Sequence, residues 1–177
     1  MSHVRRLVVK HMVNMGRMAS ASTIHSNAWA RMVRFTVVGV AAPQGSKRHV
    51  GRGIMIESSA RLRPWRSTVT AAASEARSGT VTLLGPVRLL VVLSFARPAS
   101  HYGTGRNAAA VKPSAPIRPT SHAVGDLSKL VRAVEDAITD SGLWRDDSQV
   151  VSLVAEKRYV VGVESPNTSI TITEVLS

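Results

Sequence analysis

The sequence contains no cysteine, so disulfides, thiolate zinc sites, iron–sulfur clusters and thiol nucleophiles are excluded. Any metal must be held by oxygen or imidazole. Aromatic residues make up only 4% of the chain, which argues against an RNA-binding module built on base-stacking rings. The early apolar run, Leu7-Val8-Val9, is too short for a signal-peptide core or a membrane span. Neither a Walker A loop, a dinucleotide fingerprint nor a GxSxG elbow occurs. The histidines show no HxxxH or HExxH spacing, so none is assigned a catalytic role.

Acidic residues are scarce where the chain begins and crowded where it ends. Residues 1–125 hold only Glu57 and Glu75 against 18 basic residues, whereas 126–177 hold nine acids against five. The whole chain has 23 lysines and arginines against 11 acids and a net charge of +12, which points to a polyanionic partner. At 177 residues and 44% apolar content it is long enough for one folded domain with a real core. Six of the acids, Asp126, Glu135, Asp136, Asp140, Asp146 and Asp147, fall within one 22-residue window. Carboxylates inside a basic protein suit cation-assisted chemistry on phosphate, the basic surface holding the polyanion and the acids the metal. A helix with a solvated acidic face is the plainer reading of the same cluster.

Residues 1–31 contain no acid and read as a disordered or spurious extension. Residues 32–177 form the domain and keep a balance of +7, with 18 basic and 11 acidic residues. A strand is expected over Arg34–Ala41, followed by the loop Pro43-Gln44-Gly45-Ser46-Lys47-Arg48, whose glycine and two cations suit contact with phosphate. A short strand over Gly51–Ser58 comes next. Pro64 then fits the first position of a helix continuing over Trp65–Arg77. Pro86–Phe95 is nearly continuously apolar, as a central strand buried on both faces would be. Residues 97–123 are rich in proline and small residues, contain Arg97, Arg106, Lys112 and Arg118 and no acid, and read as a flexible DNA-contacting arm. An ordinary solvated loop is the alternative.

Asp126–Asp140 has apolar residues Leu127, Leu130, Val131, Val134 and Ile138 at helical spacing, with Asp126 placed to cap it. After a connector over 142–147, strands are expected over Gln149–Val161 and Thr168–Val175. If the helix packs on the sheet, Asp126 and Asp146-Asp147 converge, and magnesium needs only one or two protein carboxylates beside water and substrate phosphate. Each acid also has a simpler role, Asp126 as a cap and Asp146-Asp147 as a solvated turn. Lys129 and Arg132 follow Asp126 along the helix, where they could steady charge on a leaving oxygen. Trp144 is better suited to filling the core than to stacking on a base.

The stretch Gly125-Asp126-Leu127-Ser128-Lys129-Leu130-Val131-Arg132, with Trp144-Arg145-Asp146-Asp147-Ser148-Gln149-Val150-Val151 and Lys157, resembles the RusA-type Holliday junction resolvases, phage-borne members in particular. The likeness covers about residues 33–175. It implies a homodimeric α/β endonuclease, a small mixed sheet packed on two main helices, that cuts four-way DNA junctions with magnesium, manganese being a possible substitute. It also implies action in DNA recombination and repair in the cytoplasm of a bacterial or phage-infected cell, with no membrane partner. On this resemblance Asp126, Asp147, Lys129 and Arg132 are the catalytic candidates, and Asp126, Asp147 and Asp146 the metal ligands. Lys47, Arg48, Arg106, Lys112, Arg118 and Lys157 are the DNA contacts. Ser128 stands where the family has a second catalytic aspartate, and Arg132 where it has a helix lysine. Glu135 shares the Ser128 side of the helix but lies about 10 Å along the axis, too far for direct replacement. The departures at 128 and 132 leave a second possibility, a junction-binding protein with weakened catalysis.

Overall fold

The computed structural model describes residues 31–45, 47–49, 55–57, 60–78 and 81–175. Residues 1–30, and most of the strand expected over 51–58, lie outside them. Strands β1 (Met32–Val38), β4 (Val87–Phe95), β5 (Val150–Tyr159) and β6 (Asn167–Glu174) form one mixed sheet in the order β1-β6-β4-β5. Strands β2 (Lys47–His49) and β3 (Met55–Glu57) pair separately as an antiparallel ribbon. Lys47 and Arg48 therefore belong to a strand rather than to the loop expected for them. The helices are α1 (Leu62–Arg77) and α2 (Leu127–Ser141). Pro64 sits at the third helical position of α1 rather than the first. The first turn accepts it there because those amide groups lack intrahelical partners.

Strand β4 is interior, antiparallel to β6 and parallel to β5. It is not buried on both faces: Leu89, Val91 and Leu93 are inaccessible, whereas Leu90 is 37% exposed and Arg88 is exposed. The reason is that both helices pack on one face of the sheet. Val33, Val37, Ile170 and Ile172 point into the same core as Trp65, Val69 and Ala73 of α1 and Leu130, Val134 and Ile138 of α2. Residues of opposite parity, among them Arg34 and Arg88, line the uncovered face.

One end of the sheet is fastened by side chains. Arg31, just before β1, makes a two-pronged ion pair with Glu174 at the end of β6, at 2.8 and 2.9 Å. Glu174 also accepts from the Gly85 amide at 3.3 Å. Past α2, Gly142 takes a left-handed conformation with φ +69° that ends the helix. The chain then buries Leu143 and Trp144. The Trp144 indole donates to the Thr139 hydroxyl at 2.7 Å, so the ring fills the core, as expected, with its one polar atom satisfied.

Residues 97–123 fold back on the sheet and are not the flexible arm that their composition suggests. Arg97 stacks 4.0 Å from the Tyr159 ring centroid and donates to the Pro116 carbonyl at 2.8 Å. His101 meets the same ring edge-on, and an isolated bridge joins Tyr102 to Val111. Arg118 reaches Glu156 and the Lys157 carbonyl at 3.3 and 3.4 Å, covering that end of β5. Cation–π and carbonyl contacts replace the apolar core this segment lacks.

Replacing Trp144 with alanine should lower the unfolding free energy by about 3–5 kcal/mol, read from urea denaturation. A loss below about 1 kcal/mol would show that Trp144 is not a keystone of the α2–sheet packing.

Candidate active site

Helix α2 crosses over the β4–β5 pair and leaves a pocket of about 710 Å³ between its flank and β5, lined by Ser128, Arg132, Glu135, Asp147, Leu153 and Ala155 among others. The helix positions come from one stripe: residues three, four and seven apart share a face, which places Ser128, Val131, Arg132 and Glu135 together. Leu153 and Ala155 come from the helix-facing side of β5, and Asp147 from the 3₁₀ turn Asp147–Gln149 that starts the strand.

Glu135 and Asp147 share this pocket. Partial burial raises the proton affinity of Glu135, and the negative charges of Asp147 and then Asp136 raise it further, while Arg132 opposes the shift. The half-buried Glu135 carboxylate and the exposed Asp147 carboxylate, with a single neighbouring guanidinium, are short of positive charge. That donor set suits a hard divalent cation, for which one or two protein carboxylates suffice. Among the described residues no group of three or more His, Asp or Glu side chains is arranged as a metal cage.

Asp126 occupies the N-cap position of α2, yet its side chain caps no amide. It pairs instead with Lys129 at 3.0 Å and is 66% exposed. The Lys129 ammonium holds the Asp126 carboxyl below the usual carboxylate range, with smaller contributions from His122 and Lys157. Asp126 thus lies one residue before the pocket lining begins at Leu127, and its electrostatic neighbours are cations rather than Asp147. Asp146 faces its own turn, where it accepts from the Ser148 amide at 2.9 Å; hydrogen bonding by the Ser148 side chain, and then by that amide, lowers its proton affinity.

Gln149 holds the turn that presents Asp147. Its amide nitrogen donates to the Leu83 and Gly85 carbonyls at 3.1 and 2.8 Å, and its oxygen accepts from the Arg145 and Asp146 amides at 2.8 and 3.2 Å. One side chain therefore joins the start of β4 to the acidic turn. The entry to α2 is fixed from two sides. Lys157 donates to the Gly125 carbonyl at 3.0 Å. Gly125 has φ +89°, and a Cβ there would lie 2.7 Å from Pro43. Only glycine fits both that conformation and that approach.

Lys112 donates to the Ser100 carbonyl at 2.9 Å and Arg118 to Glu156 and Lys157, whereas Arg106 lies on the exposed 3₁₀ turn Gly105–Asn107. Lys47 and Arg48 lie on β2, beyond the loop that docks on α2. Sequence reasoning set Glu135 aside and gave Gln149 no role. Gln149 stands in the stretch Asp146-Asp147-Ser148-Gln149 itself, so the spacing that marks the turn is also the signal for its holder. Glu135 is brought into the pocket lining only by the fold, because Asp147, which lines it too, comes from the turn before β5.

A mixed α/β domain with paired carboxylates beside lysine and arginine has the makeup of a nucleic-acid hydrolase. A family model described as endodeoxyribonuclease RusA matches residues 37–173, and the chain belongs to that family of endodeoxyribonucleases, hydrolases that resolve DNA junctions and depend on divalent metal. Comparison with curated proteins gives no match.

Replacing Asp147 with asparagine should move the Glu135 titration, followed by carboxyl-carbon NMR, to lower pH, since the charge that favours its protonated form is gone. Because Glu135 binds its proton more tightly folded than unfolded, its share of stability is fullest below the unfolded value and declines as pH rises through the folded one. Unchanged Glu135 titration in the asparagine variant would show that the two carboxylates do not share the pocket.

Proposed function

We propose that the protein resolves four-way DNA junctions by paired, magnesium-dependent phosphodiester hydrolysis, acting as a homodimer in the cytoplasm of a bacterial or phage-infected cell. The observation that carries this reading is the meeting of Glu135 and Asp147 in one pocket beside Ser128 and Arg132, inside the segment that the RusA family covers. Asp147 and Glu135 would hold the ion, with the Ser128 hydroxyl as a neutral oxygen nearby. When bound, magnesium supplies an acidified water and neutralises charge on phosphate.

The side chains around the pocket do the rest. Arg132, at its wall, binds the phosphate undergoing cleavage and stabilises negative charge on the departing oxygen. Its high pKa makes it an electrostatic partner rather than a proton donor. Asp126 keeps the Lys129 ammonium at the rim, where it adds positive charge without entering the acidic pocket. Lys157 and Gln149 act on position: one steadies the helix entry, the other the turn of Asp147. Lys47, Arg48, Arg106, Lys112 and Arg118 supply backbone contacts of the kind that hold DNA without reading bases.

Two active sites are needed for symmetric cutting, and β5 offers a route to them. It is an edge strand with Val151, Leu153 and Val154 at 62%, 48% and 54% exposure. Such an apolar edge favours strand pairing with a second copy. The pocket, which includes Leu153, would then border the dimer.

Incubated with a mobile four-way junction and magnesium, the protein should make paired incisions, and Asp147→Asn should cut at least about a hundredfold more slowly while still binding the junction. No incision by the natural protein, or unchanged incision by the variant, would contradict the reading. Ser128 favours a second possibility, junction binding with weakened catalysis, because a hydroxyl brings one less negative charge than a carboxylate. A large gain in cutting by Ser128→Asp would identify the natural protein as that weakened form.

A further inference from the structure

A second pocket, of about 280 Å³, lies on the other side of Arg132, between α2 and the loop that follows β1, lined by Gln44, Gly45, Lys129 and Arg132. Its walls are held in place. The Gln44 amide donates to the Lys129 carbonyl at 3.0 Å, and the Gln44 side chain donates to Asp136 at 3.1 Å. Asp136 in turn accepts from Arg66 of α1 at 3.4 Å. The loop is thereby fixed to α2 by its backbone and by a carboxylate that also faces α1. None of the four lining residues is acidic, and two carry positive charge.

The two pockets meet at Arg132, which lines both. One side of this guanidinium is acidic, with Glu135 and Asp147, and the other carries Lys129, whose exposed ammonium also pairs with Asp126 at 3.0 Å. We infer that the Gln44–Gly45–Lys129–Arg132 pocket binds a backbone phosphate of the same DNA strand, next to the phosphate cleaved in the neighbouring pocket. Gly45, lacking a side chain, lets the polyanion approach the loop backbone. Lys129 and Arg132 supply charge-assisted hydrogen bonds. The pocket shares Arg132 with its acidic neighbour, so the pair can take successive phosphates of one strand. This favours a nucleic-acid phosphate over a small free anion. The inference rests on the proposed nuclease function and adds the path of the strand: across α2, over Arg132, from a basic seat to an acidic one.

The test uses the full chain in EDTA, so that binding is read apart from cutting. Junction affinity is measured over a salt series for the natural protein, Lys129→Gln, Lys129→Arg and Gly45→Glu. Lys129→Gln should weaken binding and reduce the salt slope by about 1, and Lys129→Arg should restore both. Gly45→Glu, which places a carboxylate in the seat, should weaken binding about tenfold or more. Inorganic phosphate at matched ionic strength should not displace the junction, whereas a single-stranded oligonucleotide should. Unchanged affinity and slope in Lys129→Gln, with its thermal melting intact, would overturn the inference while leaving the nuclease reading in place if the natural protein still cuts with magnesium. Displacement by phosphate but not by the oligonucleotide would overturn the DNA assignment. Failure of the natural protein to bind the junction would overturn both.

Discussion

The parallel pairing of β4 with β5 is the constraint on which the rest of the molecule depends. Two parallel strands cannot be joined by a tight turn, so the chain between them must travel back along the sheet. Residues 96–149 do so as a folded lobe and then as α2. The returning helix crosses β5 with its Ser128–Glu135 flank toward the strand. The turn that starts β5 brings Asp147 up beside that flank. The acidic pocket follows from connectivity, and Gln149 fixes its mouth by tying the turn to the residues that precede β4.

Charge is divided across α2 with the same economy of means. Burial of Glu135 beside Asp147 concentrates negative potential under one flank of the helix, where a folded protein without a cation holds it at a cost. Toward the β1 loop the same helix presents Lys129, and Arg132 stands between the two. A phosphodiester needs both kinds of surroundings, positive charge to hold it and carboxylates to bring a metal to it. The domain balance of +7 provides long-range attraction, and the proposed chemistry is assigned to the local inversion at Glu135 and Asp147.

Much of this was legible in the residues. The stripe Leu127, Leu130, Val131, Val134 and Ile138 announces α2, and the acid window marks the region of the site. Trp144 reads correctly as core. Three features were not legible, each because it depends on a neighbour distant in sequence. Val87–Phe95 looks doubly buried, since apolar composition cannot show that both helices choose one face. Residues 97–123 look mobile, since the stacking of Arg97 on Tyr159 joins positions 62 residues apart in the chain. Glu135, read on α2 alone, lies too far along the axis to replace the aspartate missing at Ser128, and only the folded chain shows that it lines one pocket with Asp147. Asp126 shows the converse: its position at the helix entry was clear, and its partner, Lys129, was one turn away.

The most direct test of the account is to soak crystals of the protein with manganese and locate the ion by anomalous scattering. The expected result is an ion bound by carboxylate oxygens of both Asp147 and Glu135, beneath the Ser128–Arg132 flank of α2. An ion that sits on Asp126 and leaves Glu135 unliganded, or one that binds away from this pocket altogether, would contradict it.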